Sequence, residues 1–262
     1  METGGLTNYI DLAQIALYGF WIFFAGLIWY LHREDKREGY PLDSDRTDRS
    51  GGRVKVQGFP AIPPPKTFRL ADGSTVQVPT PDGGADRRPV AARPLGNGDG
   101  AALQPTGDPM RDGVGPASFA ARGNVPERMV DGTPMIVPMR SVSGWHINPR
   151  DPDPRGMSVV GCDGATAGTV RDVWVDKAEP QIRYLEVELS TGGRKVLVPY
   201  GFVKYDAKAR RVNVNAITGA QFAGVPSTAS GEQVTRLEED RITGYFGGGT
   251  LYATPDRLGP LL

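Results

Sequence analysis

The segment Leu12 to Leu31, LAQIALYGFWIFFAGLIWYL, constrains the fold more than any other part of the chain. It is a run of twenty residues without formal charge, and Gln14 is its only strongly polar side chain. At about 1.5 Å per residue, such a helix spans about 30 Å, the hydrocarbon thickness of a bilayer. Tyr9 precedes the run, and Trp29 and Tyr30 end it, as expected for aromatic rings at membrane interfaces. The pattern predicts one transmembrane helix over residues 12–31.

The charges on either side of this run predict its orientation. Only the acids Glu2 and Asp11 precede it, whereas Arg33, Lys36 and Arg37 follow it. The positive-inside rule therefore predicts a short periplasmic N-terminus, residues 1–11, and a cytoplasmic C-terminal part. A cleaved signal peptide is the alternative, and it is disfavoured because the run lacks a basic n-region and a small-residue cleavage site.

Two kinds of membrane contact are candidates at this helix. Ala16, Gly19 and Gly26 lie near one helical stripe, which leaves room for a neighbouring helix, although small residues are also common in membrane helices without a partner. Basic residues near the end of the run have two interpretations. They either contact anionic lipid headgroups or act only as signals of membrane topology. These headgroup candidates are Arg33, Lys36, Arg37 and Lys66. His32 is predicted to be an interface residue.

Composition excludes several classes of function. Thirty basic residues balance thirty acidic ones, so no overall field favours nucleic acid. With two histidines and one cysteine, no metal site is predicted, and no Ser/His/Asp set indicates an enzyme. The single cysteine, Cys162, fits a reducing cytoplasm, and its apolar neighbours predict a buried thiol.

Residues 32–155, called the strap here, are rich in proline, glycine and charge. Few regular elements are expected there, apart from one hairpin formed by Thr67–Leu70 and Thr75–Val78. The sequence TGDPMRDGVGP, Thr106–Pro116, looks like a phosphate loop. Because neither a strand before it nor a helix after it is predicted, we interpret it as a rigid, turn-rich contact.

Residues 156–250 change to an alternating pattern typical of half-buried antiparallel strands. Strands are predicted around Val173–Val175, Leu185–Leu189, Lys195–Val198, Phe202–Tyr205 and Val212–Val214. A capping box of Ser230 and Gln233 predicts a helix over Gly231–Ile242 that stops at Gly244, with Gly247–Gly249 as a flexible loop and residues 251–262 as a tail. The predicted fold class is a single transmembrane α-helix plus a mainly-β cytoplasmic domain, a small antiparallel barrel with a C-terminal helix.

Four blocks of the sequence resemble one family in the same order. They are YGFWIFFAGLIWYLHREDKREGYPL from Tyr18, PTGDPMRDGVGPASF from Pro105, GCDGATAGTVRDVWVDKAEPQIRYLEVEL from Gly161 and LEEDRITGYFGGGTLYATP from Leu237. These blocks resemble the H subunit of the purple-bacterial photosynthetic reaction centre, whose C-terminal domain is a PRC-barrel.

The resemblance implies a subunit that binds no pigment or other cofactor itself. It would cap the cytoplasmic face of the L and M subunits, shield the quinone sites and help conduct protons to the secondary quinone. Bacteriochlorophyll, bacteriopheophytin, quinones and non-haem iron would belong to L and M. An antenna ring and lipids would surround the complex in the photosynthetic, intracytoplasmic part of the bacterial inner membrane.

The resemblance also implies site residues. Asp176, Glu179 and Arg183 match family positions beneath the secondary quinone, although their spacing alone favours a solvated turn with an ion pair. Asp131 is the candidate proton collector in a region that lacks the family's histidines, and it also fits a turn residue in Asp-Gly-Thr-Pro. His146 matches a family histidine and is equally compatible with a structural side chain.

Two other functions remain open from the residues. The first is a membrane-tethered PRC-barrel adaptor of another complex, which would tolerate replacement of its anchor by an unrelated helix. The second is a membrane-anchored enzyme, which would need a pocket of converging polar groups.

Overall fold

The computed structural model describes residues 11–70, 73–80, 86, 88–97 and 100–258, without the side chains of Asp43 and Asp45. Tyr9 and most of the predicted periplasmic segment thus lie outside the described residues. Contacts divide the chain into two compact units between Arg88 and Pro89.

Helix α1, Leu12–Glu34, dominates the first unit and confirms the predicted apolar helix. Asp11 caps its start: the Asp11 Oδ1 accepts a hydrogen bond from the Gln14 amide at 2.7 Å, and the Gln14 side chain accepts one from the Asp11 amide at 3.2 Å. The one polar side chain of the run is therefore used by the cap. None of the helix is buried, and among the described residues only α1 with the turn after it is long and apolar enough to cross a bilayer.

Two hairpins follow α1 in the first unit. Strands β1, Leu42–Thr47, and β2, Arg53–Val56, form the first, and β3, Lys66–Arg69, and β4, Thr75–Val78, form the second. The second hairpin confirms the prediction. The first was not predicted, because backbone pairing and the Asp48 side chain, which accepts from the Ser50 and Gly52 amides, hold it with no buried apolar residue among its described side chains.

The second unit holds nine strands and two helices within the described residues. They are β5, Ala92–Pro94; β6, Leu103–Pro105; α2, Pro109–Asp112; β7, Ile136–Pro138; β8, Ser158–Gly161; β9, Thr166–Asp176; β10, Gln181–Leu189; β11, Lys195–Pro199; β12, Val203–Asp206; β13, Arg211–Val214; and α3, Arg236–Tyr252.

One sheet organises this unit in the order β11-β10-β9-β8-β13-β12, with β7 also paired to β9. All pairs are antiparallel except β13 with β8. Inward-facing valines and leucines, with Trp174, Phe222 and Phe246, form its core. The five predicted strands are confirmed, and the fold is the expected PRC-barrel type with a C-terminal helix.

The strap contributes more regular structure than expected. β7 pairs with the C-terminal half of β9, matching Ile136 with Asp176, and Met110 belongs to the barrel core. Thr106–Pro116 is flanked by β6 and contains α2, contrary to the prediction. The Asp108 carboxylate already accepts hydrogen bonds from the first amides of α2, so this loop offers no free phosphate site.

The predicted start of the C-terminal helix is wrong. The capping box is Thr235 with Glu238: the Thr235 hydroxyl accepts from the Glu238 amide at 3.2 Å, and the Glu238 carboxylate accepts from the Thr235 amide at 2.8 Å. Residues 231–234 stay outside the helix because Arg140 donates to the Gly231 carbonyl at 2.6 Å and Val234 is buried in the core.

The predicted stop at Gly244 and the flexible loop at Gly247–Gly249 are also wrong, since α3 continues to Tyr252. A Cβ on Gly244 would lie 2.7 Å from the Ala117 carbonyl oxygen, and one on Gly249 would lie 2.5 Å from the Ala216 carbonyl oxygen. These glycines therefore let the helix approach neighbouring backbone closely. Cys162 is half-buried rather than buried, because it begins the turn after β8.

Replacing Thr235 with alanine is expected to lower the free energy of unfolding by about 1 kcal/mol, the usual cost of removing a helix cap. The matched Ser230→Ala change should alter it by less than about 0.5 kcal/mol, because Ser230 only closes a local turn with Glu232. Urea unfolding of both variants measures the difference. Equal losses would contradict the observed helix start.

Candidate functional site

The turn between β9 and β10 holds two of the predicted site residues. Asp176 ends β9 and is buried, and its Oδ1 accepts from the amides of Ala178 at 2.9 Å and Glu179 at 3.2 Å. Glu179 is exposed, and its carboxylate accepts a hydrogen bond from Gln181 at 3.2 Å. Asp176 thus shapes the turn, and Glu179 presents its charge on the surface.

Asp131 lies in the loop before β7 and is connected to this turn. Its Oδ1 accepts from the Thr133 hydroxyl at 2.7 Å, and the Thr133 oxygen accepts from Lys177 Nζ at 2.7 Å. The hydrogen bond from the Thr133 hydroxyl, then that from the Thr133 amide, lowers the pKa of Asp131. The geometry therefore links Asp131 to the turn between β9 and β10 through Thr133 and Lys177, and it favours an ionised turn residue.

A β-bulge positions Arg183 beside a second group of side chains. The register of β10 with β9 shifts between Ile182 and Tyr184, so Arg183 has no direct partner on β9. Bulges of this kind redirect side chains and occur often near functional sites. Tyr184 is buried, and its hydroxyl donates to Glu239 on α3 at 2.8 Å. Arg183 is exposed and acts electrostatically on this carboxylate.

Glu239 is the carboxyl group in this region whose pKa is raised. Burial is the main cause, opposed by the Tyr184 hydroxyl and Arg183 and reinforced by the negative charges of Glu127 and Asp240. A carboxyl group with a raised pKa holds and releases protons closer to neutral pH than an exposed one does. Glu239 is thus chemically better suited to proton exchange than Asp131.

The Glu239→Gln variant is expected to be stabilised relative to the wild type at neutral pH. Because the folded pKa of Glu239 lies above its ordinary value of 4.5, ionisation costs stability as pH rises from about that value through the folded pKa. The advantage of glutamine should shrink as pH falls towards 4.5. Thermal unfolding between pH 4.5 and 8 measures it, and a pH-independent difference would contradict the raised pKa.

A buried ionic cluster lies farther along the same two strands. Arg140 donates to Asp172 at 3.1 Å and to Glu186 at 2.9 Å, and Glu186 also accepts from Trp174 at 3.1 Å and pairs with Lys195 at 2.7 Å. Asp172 and Glu186 are only 4% and 3% exposed. Burial raises the pKa of Glu186, but the bonds from Lys195, Arg140 and Trp174 outweigh it and hold that pKa below its ordinary value. This cluster is suited to stability rather than proton exchange.

Sequence reasoning missed Glu239 and the buried cluster. Glu239 stands between Glu238 and Asp240 in the first turns of a helix, which is ordinary composition for a helix start. Its partner Tyr184 is 55 residues away, so only the packing of α3 on the sheet brings the two together. His146 is exposed in the segment between β7 and β8, and none of the bonds above includes it.

The small residues of α1 that are candidates for helix packing are accessible to a neighbouring helix. A Cβ added at Gly19 or Gly26 would meet nothing within 4 Å, and Ala16 is exposed. Arg33 lies 5.5 Å from the Trp29 ring centroid and Lys66 lies 5.8 Å from that of Tyr30, which leaves both near the end of the apolar run.

Lys36 and Arg37 differ because both are buried, whereas Lys66, which pairs with Glu34 at 2.6 Å, stays exposed. Lys36 binds the carbonyls of Gln57 and Pro60 at 2.6 Å each, and Arg37 binds those of Pro64 at 2.7 Å and Val78 at 3.1 Å. The structure therefore favours a structural role for these two residues over the predicted headgroup contact.

No group of three or more His, Cys, Asp or Glu residues in the described parts of the chain could hold a metal ion. An apolar helix long enough to cross a bilayer, together with a mainly-β domain, fits the class of membrane-anchored proteins. Residues 4–141 match the family model of the photosynthetic reaction centre, H-chain N-terminal region, and residues 150–221 match that of the PRC-barrel domain. The first match covers more than half of the chain, so the protein belongs to the photosynthetic reaction-centre H-chain family.

Proposed function

We propose that this chain caps the cytoplasmic side of the reaction-centre L and M subunits, stabilises the quinone region and helps conduct protons to the secondary quinone. The observation that carries the proposal is the grouping of ionisable side chains around β9, β10 and α3. Asp176 and Glu179 lie in the turn between the two strands, and Arg183 and Glu239 lie beside the first part of β10.

The geometry of this group suggests a separate role for each side chain. Glu179 is exposed in the isolated chain, so its carboxylate is free to face L and M and to pass a proton at that contact. Asp176 stabilises the turn that carries Glu179, because its carboxylate accepts hydrogen bonds from two backbone amides of that turn. Glu239 supplies a nearby carboxyl group with an already raised pKa, and Arg183 limits that rise.

The same proposal places the chain in the membrane with α1 as its single span. Residues 1–11 would face the periplasm and the barrel the cytoplasm, in the photosynthetic membrane of a bacterium, next to L, M, lipids and an antenna ring. Pigments, quinones and non-haem iron would be held by L and M. The small residues Ala16, Gly19 and Gly26 would allow close packing of α1 against a membrane helix of the core.

Purification from native membranes in mild detergent tests this assignment. The near-infrared spectrum of the preparation is expected to show bleachable bacteriochlorophyll and bacteriopheophytin bands, with L, M and this chain in equal amounts. A colourless preparation from pigmented membranes would contradict the proposal and favour the PRC-barrel adaptor. A matched test replaces residues 12–31 with an unrelated apolar helix, which should anchor the chain but weaken its assembly with the core.

A further inference from the structure

One aromatic side chain of the first unit is far more exposed than its type usually is. Phe59, between the first and second hairpins, is 82% exposed. Leu42 and Val56, at the open end of the first hairpin, are exposed as well. They are direct partners in the pairing of β1 with β2, so they share one face of that hairpin. Val56 is three residues before Phe59, so the three exposed apolar residues belong to neighbouring parts of the first unit.

Hydrogen bonds tie the backbone around Phe59 to the end of α1. The Phe59 carbonyl oxygen lies 3.2 Å from His32 Nε2, and the buried ammonium of Lys36 binds the carbonyls of Gln57 and Pro60. Gly58 has a φ of +63°, and a Cβ there would lie 3.3 Å from Lys36 Nζ. The glycine therefore fits both the turn and the close approach of the lysine.

These hydrogen bonds fix the position of the Phe59 backbone relative to the apolar run of α1. His32 directly follows Leu31, the last residue of that run, and Trp29 and Tyr30 belong to the same turn of helix. The Phe59 backbone therefore lies beside the level at which α1 passes from apolar residues to charged ones. Aromatic side chains at this level favour the boundary between headgroups and hydrocarbon.

Among the described side chains next to these apolar residues in the chain, the charged one is basic. Lys55 is exposed next to Val56, and Arg33 lies on the last turn of α1. The acidic residues Asp35 and Glu38 line a different groove, with Phe68 and Leu70 of the second hairpin. Basic side chains beside exposed apolar ones are typical of segments that bind anionic lipid interfaces.

We infer that Phe59, with Leu42 and Val56, inserts into the cytoplasmic lipid interface as a second membrane contact beside α1. The inference rests on the proposed membrane span of α1. Insertion at this point would hold the start of the strap against the bilayer. The hydrogen bonds from Lys36 to the Gln57 and Pro60 carbonyls would fix how deeply Phe59 enters the lipid.

Site-directed spin labelling of the full chain tests the inference. The sole cysteine is first changed in a Cys162→Ser background, and a nitroxide is then attached to Phe59→Cys in vesicles of phosphatidylcholine and phosphatidylglycerol. The ratio of oxygen to nickel-complex collision rates should be several-fold higher at position 59 than at Ser50→Cys, a control in the charged turn of the first hairpin. A label at Ile22→Cys reports separately whether α1 lies in the hydrocarbon.

Four results decide between the possibilities. High oxygen access at positions 22 and 59 supports the lipid contact. Hydrocarbon-like access at position 22 with water-like access at 59 overturns this inference alone, whereas water-like access at both overturns the membrane span as well. In the assembled complex, shielding of position 59 from both reagents would overturn the lipid contact in favour of a protein neighbour.

Discussion

The Glu179→Gln variant, assembled with L and M, is expected to slow the second, proton-coupled electron transfer to the secondary quinone by about tenfold. Glutamine keeps the shape of the side chain and its position in the β9–β10 turn but cannot release a proton. The expected loss is smaller than the roughly 10²- to 10⁴-fold usual for general acid–base groups, because Asp176 and Glu239 leave other carboxyl groups in the same region. The first electron transfer, which needs no proton delivery, should stay nearly unchanged.

Flash-induced absorbance changes measure both transfers in the same preparation. Glu188→Gln is the matched control, since Glu188 lies at the other end of β10 and pairs with Arg171 at 2.6 Å. Its kinetics should equal those of the wild type. An unchanged second transfer in the Glu179 variant would remove this residue from the proposed path, and equal slowing in both variants would indicate a general structural effect.

The Arg140→Met variant is expected to lose about 3 kcal/mol of unfolding free energy, within the range for breaking a buried ion pair. Methionine keeps the length of the side chain but leaves Asp172 without its cation and Glu186 with only Lys195 and Trp174. The matched Arg155→Met change breaks an exposed pair with Asp153 and should cost less than about 1 kcal/mol. Urea unfolding followed by tryptophan fluorescence measures both.

The pH dependence of the Arg140 deficit gives a second check. In the wild type the folded pKa of Glu186 is below its ordinary value of 4.5, so the stability it contributes is present above that value and is lost as pH falls through the folded pKa. In the variant, protonation removes the buried charge of Glu186, which has lost one of its two cations. The deficit should therefore be largest near pH 7 and shrink below about pH 4.5, and a deficit that grows on acidification would contradict this account.

The elements that could be predicted are those with a local signal. The apolar run of α1 and the alternation of Val173–Val175 and Leu185–Leu189 each contain their own periodicity. The first hairpin has none, because a side-chain turn at Asp48 and backbone pairing hold it. Its physical basis is therefore invisible in a hydrophobic pattern.

The remaining misses depend on contacts between distant residues. The sequence offers two capping boxes for the start of α3, Ser230 with Gln233 and Thr235 with Glu238, and the structure uses the second. Arg140, 91 residues away in the chain, binds the Gly231 carbonyl and keeps the first box outside the helix. The site was only partly predictable for the same reason. Glu179 and Asp176 are close in sequence, whereas Glu239 joins them only through α3, and its raised pKa comes from burial.

The pairing of β7 with β9 has a consequence for how such a chain is inherited. β7 and Arg140 belong to the H-chain N-terminal match, whereas β9, Asp172 and Glu186 lie in the PRC-barrel match. Recombination at the boundary between the two families would separate a strand from its neighbour and a cation from two buried acids. A chain that exchanged one region for another lineage's would therefore keep this sheet and this buried cluster only if the new region supplied the same partners.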